Sequence, residues 1–142
     1  MKVRLTRERF DLMEALELIA VPQAGGYVFF LGRVRSEGHG RKVLKLVYEA
    51  YPEMAELEMI RIREEALKRF SILDMVIWHR YGELPVGEDT ILIVASARHR
   101  RDAFAACEWA IDEVKRRVPV WKREFTDEGV FWIEGERAIP EK

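Results

Sequence analysis

At 142 residues, 49% of them hydrophobic, the chain is long enough for one domain, 1–142, with a packed core. Lys and Arg number 24 against 25 Asp and Glu, a formal charge of -1 at pH 7. That balance excludes global attraction to nucleic acid or a membrane surface, so a basic site must be a local cluster. The single cysteine, Cys107, excludes an internal disulfide framework and a paired-cysteine zinc site. No apolar run approaches the roughly 20 residues of a bilayer span, and Met1-Lys2-Val3-Arg4 does not begin a signal peptide. A reducing, cytoplasmic setting is expected.

Met1 to Leu5 alternates like an edge strand, and Thr6 can cap a helix carrying Phe10, Met13, Leu16 and Ala20. After the break at Val21 to Gly26, Tyr27-Val28-Phe29-Phe30-Leu31 reads as a strand buried on both faces. Ser36 to Lys42 reads as an exposed, mobile loop, and Val43 to Tyr48 as a strand. Pro52 suits the first turn of a helix to about Phe70, with Ala55, Met59, Ile62, Ala66 and Phe70 on its core side. Ile72 to Tyr81 and Ile91 to Ala95 read as antiparallel strands joined by a connection over 82–89. A third helix, about Arg101 to Val118, carries a stripe of Phe104, Cys107, Ile111, Val114 and Val118 and stops at Pro119. Val120 to Phe125 and Val130 to Ile133 form a hairpin around Thr126-Asp127-Glu128-Gly129. The tail from Glu134 carries no signal of order. This sequence of elements predicts an α+β fold with a largely antiparallel sheet and about three helices.

His39, His79 and His99 lie far apart with no metal-binding spacing, and neither a nucleophile elbow nor a Walker loop occurs. Cys107, on a core stripe, is expected to act as a small apolar residue. The remaining chemistry is cationic. Strand alternation puts Arg33 and Arg35 on one face, either as an anion clamp or as a solvated strand end; spacing does not choose. His99, Arg100 and Arg101 open the third helix, where positive charge costs about 0.3–1 kcal/mol but free N–H groups favour an anion. Lys115 borders the apolar stripe and could pair with Asp112. Lys122 shares a strand face with Val120 and Glu124, while Trp121, Arg123 and Phe125 point away. Burial beside another cation would lower that lysine's affinity for its proton.

These segments, in this order, resemble the large, catalytic subunit of molybdopterin synthase. The resemblance runs from Ala24-Gly25-Gly26 through Phe30-Leu31-Gly32-Arg33-Val34-Arg35 and Leu46-Val47-Tyr48-Glu49-Ala50-Tyr51-Pro52-Glu53-Met54-Ala55. It continues through His79-Arg80-Tyr81-Gly82-Glu83-Leu84, Gly87-Glu88, Ser96-Ala97-Arg98-His99-Arg100, Ala103-Phe104 and Asp112-Glu113-Val114-Lys115 to Pro119-Val120-Trp121-Lys122-Arg123-Glu124.

The resemblance implies an α/β hammerhead fold and a sulfur transferase of molybdenum cofactor biosynthesis. Its substrate would be cyclic pyranopterin monophosphate, its sulfur donor the C-terminal thiocarboxylate of a ubiquitin-like small subunit, and it would carry no cofactor of its own. Pro140-Glu141-Lys142 lacks a Gly-Gly ending, so a separate donor chain is expected. A homodimer core of a heterotetramer is implied. So is a substrate pocket of Arg33, Val34, Arg35, His99, Arg100, Lys115, Lys122, Arg123 and Glu124, with Lys115 and Lys122 catalytic. Two other readings use the same cations: an anion- or RNA-binding module, and a scaffold that binds a ubiquitin-like protein without chemistry.

Overall fold

The computed structural model describes residues 1–141. In chain order its elements are β1 (Val3–Thr6), α1 (Leu12–Leu18), β2 (Gly26–Arg33), β3 (Glu37–Gly38), β4 (Arg41–Ala50), α2 (Pro52–Arg69) and β5 (Ile72–Arg80). Then come β6 (Gly82–Pro85), β7 (Asp89–Ala97), α3 (Arg100–Arg117), β8 (Val120–Thr126), β9 (Gly129–Glu134) and β10 (Arg137–Pro140). Three helices and two mostly antiparallel sheets make the fold α+β, as the element pattern predicts. Among the described residues no helix is long and apolar enough to cross a membrane.

One sheet runs β1-β5-β7-β2, with β1 parallel to β5 and the other pairs antiparallel. Met75 and Ile77 of β5 and Ile91, Ile93, Ala95 and Ala97 of β7 face α2 and α3. Val76, Trp78, Leu92 and Val94 face the other way, under Ala15 and Ile19. The central strands are thus apolar on both faces, which explains their unbroken hydrophobic runs. On α2, Ala55, Met59, Ile62 and Ala66 are fully buried, at the predicted spacing. Arg117 links α2 to α3 through Glu58 at 2.6 Å and Glu65 at 2.6 Å.

The second sheet runs β10-β9-β8-β4-β3, with β6 also paired to β4. Its register sets Tyr48 opposite Lys122 and Leu46 opposite Glu124 on β8, and β9 sets Ile133 opposite Lys122. Those side chains therefore share one face.

Several expectations are corrected. The helix cap is Asp11, whose carboxylate accepts from the Met13 and Glu14 backbone, and the buried side is Ala15 and Ile19 with Met13 exposed. Strand β2 is an edge, not a doubly buried strand: Tyr27, Phe29 and Phe30 are 39%, 45% and 39% exposed. An aromatic run reads alike in a core strand and in an edge awaiting a partner. Phe104 lies outside the core because α3 rests on Ala103, Ala106, Cys107, Ala110 and Val114, whose small side chains allow close approach to the sheet. Residues 36–42, read as a mobile loop, contain β3 and a tight turn onto β4; the 82–89 connection contains β6. The tail forms β10 as far as Pro140, and Lys142 falls outside the described residues.

Candidate active site

The two sheets and the last turns of α3 enclose a cavity of about 740 Å³, within the range of small-molecule sites. The end of β2 brings Phe30 and Arg33, and Arg35 follows; α3 contributes Ile111, Val114 and Lys115, and β8 contributes Val120, Lys122 and Glu124. Tyr48, His79 and Thr90 also line it. Lys115 reaches the cavity because it follows buried Val114 on a helix that ends at Pro119, where the chain turns into β8 and returns Lys122 to the same space. Odd residues of β8 point away, as strand alternation requires.

Among the described residues Arg35, Lys115 and Lys122 form no ion pair within 4 Å, whereas other cations such as Lys2, Arg41, Arg116 and Arg123 do. Burial first, and then the charges of Lys115 and Arg35, push the Lys122 ammonium below the usual lysine range; Glu124 partly offsets them. Arg33 is less free. Its guanidinium donates to the Gly87 carbonyl at 2.5 Å and lies 3.5 Å from Asp89, which ties it to the turn before β7. Such a site can neutralise two anions and move protons at Lys122.

His79 escapes a search for metal spacing, since its signal is positional: it is the next inward residue of β5 after Met75 and Ile77. Its Nδ1 lies 2.6 Å from the Arg80 carbonyl, and its ring meets Tyr48 edge-on at 5.4 Å. The carbonyl only accepts, so Nδ1 carries the hydrogen. Burial, with Lys122 nearby, pushes the imidazole down to about 4 from 6.5. The unfolded chain then binds the extra proton first as pH falls. Stability is fully present above about 6.5 and declines towards about 4, by roughly 3 kcal/mol. Urea unfolding at both ends of that window checks this: His79→Leu should lose less stability on acidification than the parent chain by about that amount.

The other predicted site residues stand elsewhere. Val34 is 3% exposed, packs on Val43, Leu46 and Leu84, and spends its backbone on Glu88 and Gly87. Arg123 lies on the outer face of β8, 3.2 Å from Glu49 and 3.5 Å from Glu141, near the Phe125 and Trp132 rings. His99 is the N-cap of α3 and Arg100 its first residue, both exposed. They sit one helix length, about 24 Å at 1.5 Å per residue, from Lys115. No side chain spans that distance within one chain. Cys107 is buried, and its thiol is pushed up to about 11 by that burial, so it is a core residue.

A family model described as MoaE protein matches residues 5–117. The chain belongs to the MoaE family. A MoaE-family relative, the molybdopterin synthase catalytic subunit of Pyrococcus abyssi, is 63% identical over 99% of this chain and 97% of its own length. That match carries the likeness past residue 117, through β8. A chain in the crystal structure of molybdopterin synthase from Staphylococcus aureus superposes with a TM-score of 0.85 at 34% identity, over 92% of this chain and 95% of that one. A complex of subunits 1 and 2 of molybdopterin-converting factor from Helicobacter pylori gives 0.74 at 19% identity, over 100% of this chain and 91% of that one, a likeness of fold.

Proposed function

We propose that this chain is the catalytic subunit of a molybdopterin synthase. In the cavity, sulfur passes from the C-terminal glycine thiocarboxylate of a ubiquitin-like small subunit to cyclic pyranopterin monophosphate, in molybdenum cofactor biosynthesis. The observation that carries this reading is the meeting of Arg35, Lys115 and Lys122, none of them ion-paired among the described residues, in one cavity of ligand size. A phosphate-bearing pterin and a thiocarboxylate repel each other in water, and three fixed cations let them approach. Arg35 binds substrate anion. Lys115 and Lys122 stabilise the charge that develops as sulfur attacks, and Lys122 transfers protons. Sulfur comes from the partner, so the chain needs no cofactor of its own. A free thiol and a thiocarboxylate donor fit a reducing, cytoplasmic setting.

The dimer and the distant His99-Arg100 pair belong to the same proposal. Strand β2 is an edge whose first residue, Gly26, pairs with Ala97 near His99, and whose last residue, Arg33, is at the cavity. Two copies joined antiparallel along β2 would bring His99 and Arg100 of each copy to the cavity of the other. The exposed Tyr27 and Phe29 supply apolar area for that contact. A small subunit at each end completes a heterotetramer. Sedimentation should find a dimer for the parent chain and a monomer for Phe29→Asp; a dimer in both would remove β2 from the interface.

Calorimetric titration with cyclic pyranopterin monophosphate tests the substrate assignment. Arg35→Ala should weaken binding by about 10- to 100-fold, the loss of one charge-assisted hydrogen bond. Equal binding by parent and variant would sink Arg35's role.

A further inference from the structure

The Glu124 carboxylate is buried, 8% exposed, and its Oε1 accepts no hydrogen bond among the described residues. It stands two residues along β8 from Lys122, on the cavity face. An unsatisfied buried acceptor costs roughly 1–3 kcal/mol, so the surrounding structure must hold it there. The β3–β4 hairpin closes on it. A Cβ built on Gly38 would lie 2.9 Å from Oε2 and 3.3 Å from Oε1, so a side chain at position 38 would push the carboxylate out of its present place. The next residue, His39, turns Nδ1 towards Oε1 at 3.9 Å, an electrostatic contact longer than a hydrogen bond. Its Nε2 lies 2.8 Å from the carbonyl oxygen of Glu136, between β9 and β10. The carbonyl only accepts, so Nε2 carries a hydrogen; Nδ1 carries one as well only in the imidazolium form, and it is in that form that the ring attracts the Glu124 carboxylate.

The backbone gives an independent sign. His39 takes a φ of 53° and Gly40 one of 74°. The left-handed region costs a non-glycine residue about 1–2 kcal/mol, and glycine would fit position 39 with less strain. The Nε2 hydrogen bond to the Glu136 carbonyl offsets part of that cost.

We propose that His39, seated by Gly38, is a positioning residue: it fixes the Glu124 carboxylate beside Lys122 and clips the β3–β4 hairpin to the β9–β10 turn. Glu37 and Gly135, from those same two segments, line the cavity, so the clip also sets that part of the cavity wall. The inference rests on the sulfur-transfer reading of this cavity. It assigns a role to a residue and a loop that the pattern of cations leaves out.

His39→Gly is the informative variant, because glycine suits the backbone and the protein stays folded. The expected result is unfolding stability equal to or above the parent's, a KM within about twofold and a kcat of sulfur transfer lowered about 10- to 100-fold. Added imidazole should restore part of the rate, and Gly38→Ala should lower kcat in the same way. An unchanged kcat in His39→Gly would overturn the proposal. If the parent chain transfers no sulfur, the functional reading fails, and the positioning claim is still decided by ring-nitrogen NMR. Glu124→Gln should then shift His39 Nδ1 and leave Nε2 hydrogen-bonded; an unmoved Nδ1 refutes the contact.

Discussion

Lys122→Ala lowers the single-turnover rate of sulfur transfer by at least about 10²-fold, the lower end of what a general acid or base contributes. It does so without unfolding the protein. Lys122 is a half-buried cation between Tyr48 and Ile133 on the neighbouring strands, and the charges of Lys115 and Arg35 act against it. A charge held in that way costs stability, so its removal should leave the urea midpoint unchanged or slightly higher. Arg123→Ala is the contrasting variant: one residue away, on the opposite face of β8, it breaks contacts to Glu49 and Glu141 and should slow transfer far less. Equal losses in the two variants would mean that the rate reports the integrity of β8 and not the cation in the cavity.

Trp78→Ala should cost about 3–5 kcal/mol of unfolding free energy, the range for a large aromatic removed from a core. The indole is fully buried, donates to the Met1 carbonyl at 2.8 Å, lies under the Arg4 guanidinium at 4.1 Å and packs 6.0 Å from the Phe10 ring. It therefore joins β5, the N-terminal strand and the segment leading into α1. The loss should appear in chemical denaturation as a lower midpoint. A change below about 1 kcal/mol would show that α1 and β1 collapse onto the gap.

The parts of the fold legible in the sequence are those where local pattern and tertiary environment agree. Helix α2 has four apolar residues at helical spacing and a proline in its first turn, and it forms as read. The strand pair β5 and β7 follows from β-branched runs and a short connection. Misreadings fall where one pattern serves two environments. The aromatic run of β2 suits a core strand or an edge alike, and only the strand order decides. Phe104 falls at helical spacing with Cys107, yet the alanines of α3 determine which side meets the sheet. Strands β3, β6 and β10 span 2, 4 and 4 residues, too short for a periodic signal, and they form because longer neighbours offer paired edges.

The site divides in the same manner. Lys122 and Glu124 on one face of β8, with Arg123 on the other, follow from strand alternation. The return of Lys122 to Lys115 follows from Pro119 between a helix and a strand. Resemblance alone grouped Val34, His99 and Arg100 with them, and within one chain the fold separates these three: Val34 enters a core cluster, and the other two lie at the far end of α3. His39 gave no sequence signal, because its left-handed backbone and its approach to Glu124 exist only once β3 has paired with β4.

The central claim is that this chain carries out the transfer and is more than a platform for a carrier. The most direct measurement mixes the purified chain with a thiocarboxylated small subunit and cyclic pyranopterin monophosphate and follows dithiolene product over time. The account predicts product from the intact chain and its loss in Lys122→Ala. A folded, carrier-bound chain that forms no dithiolene would contradict the account and leave a binding scaffold in its place.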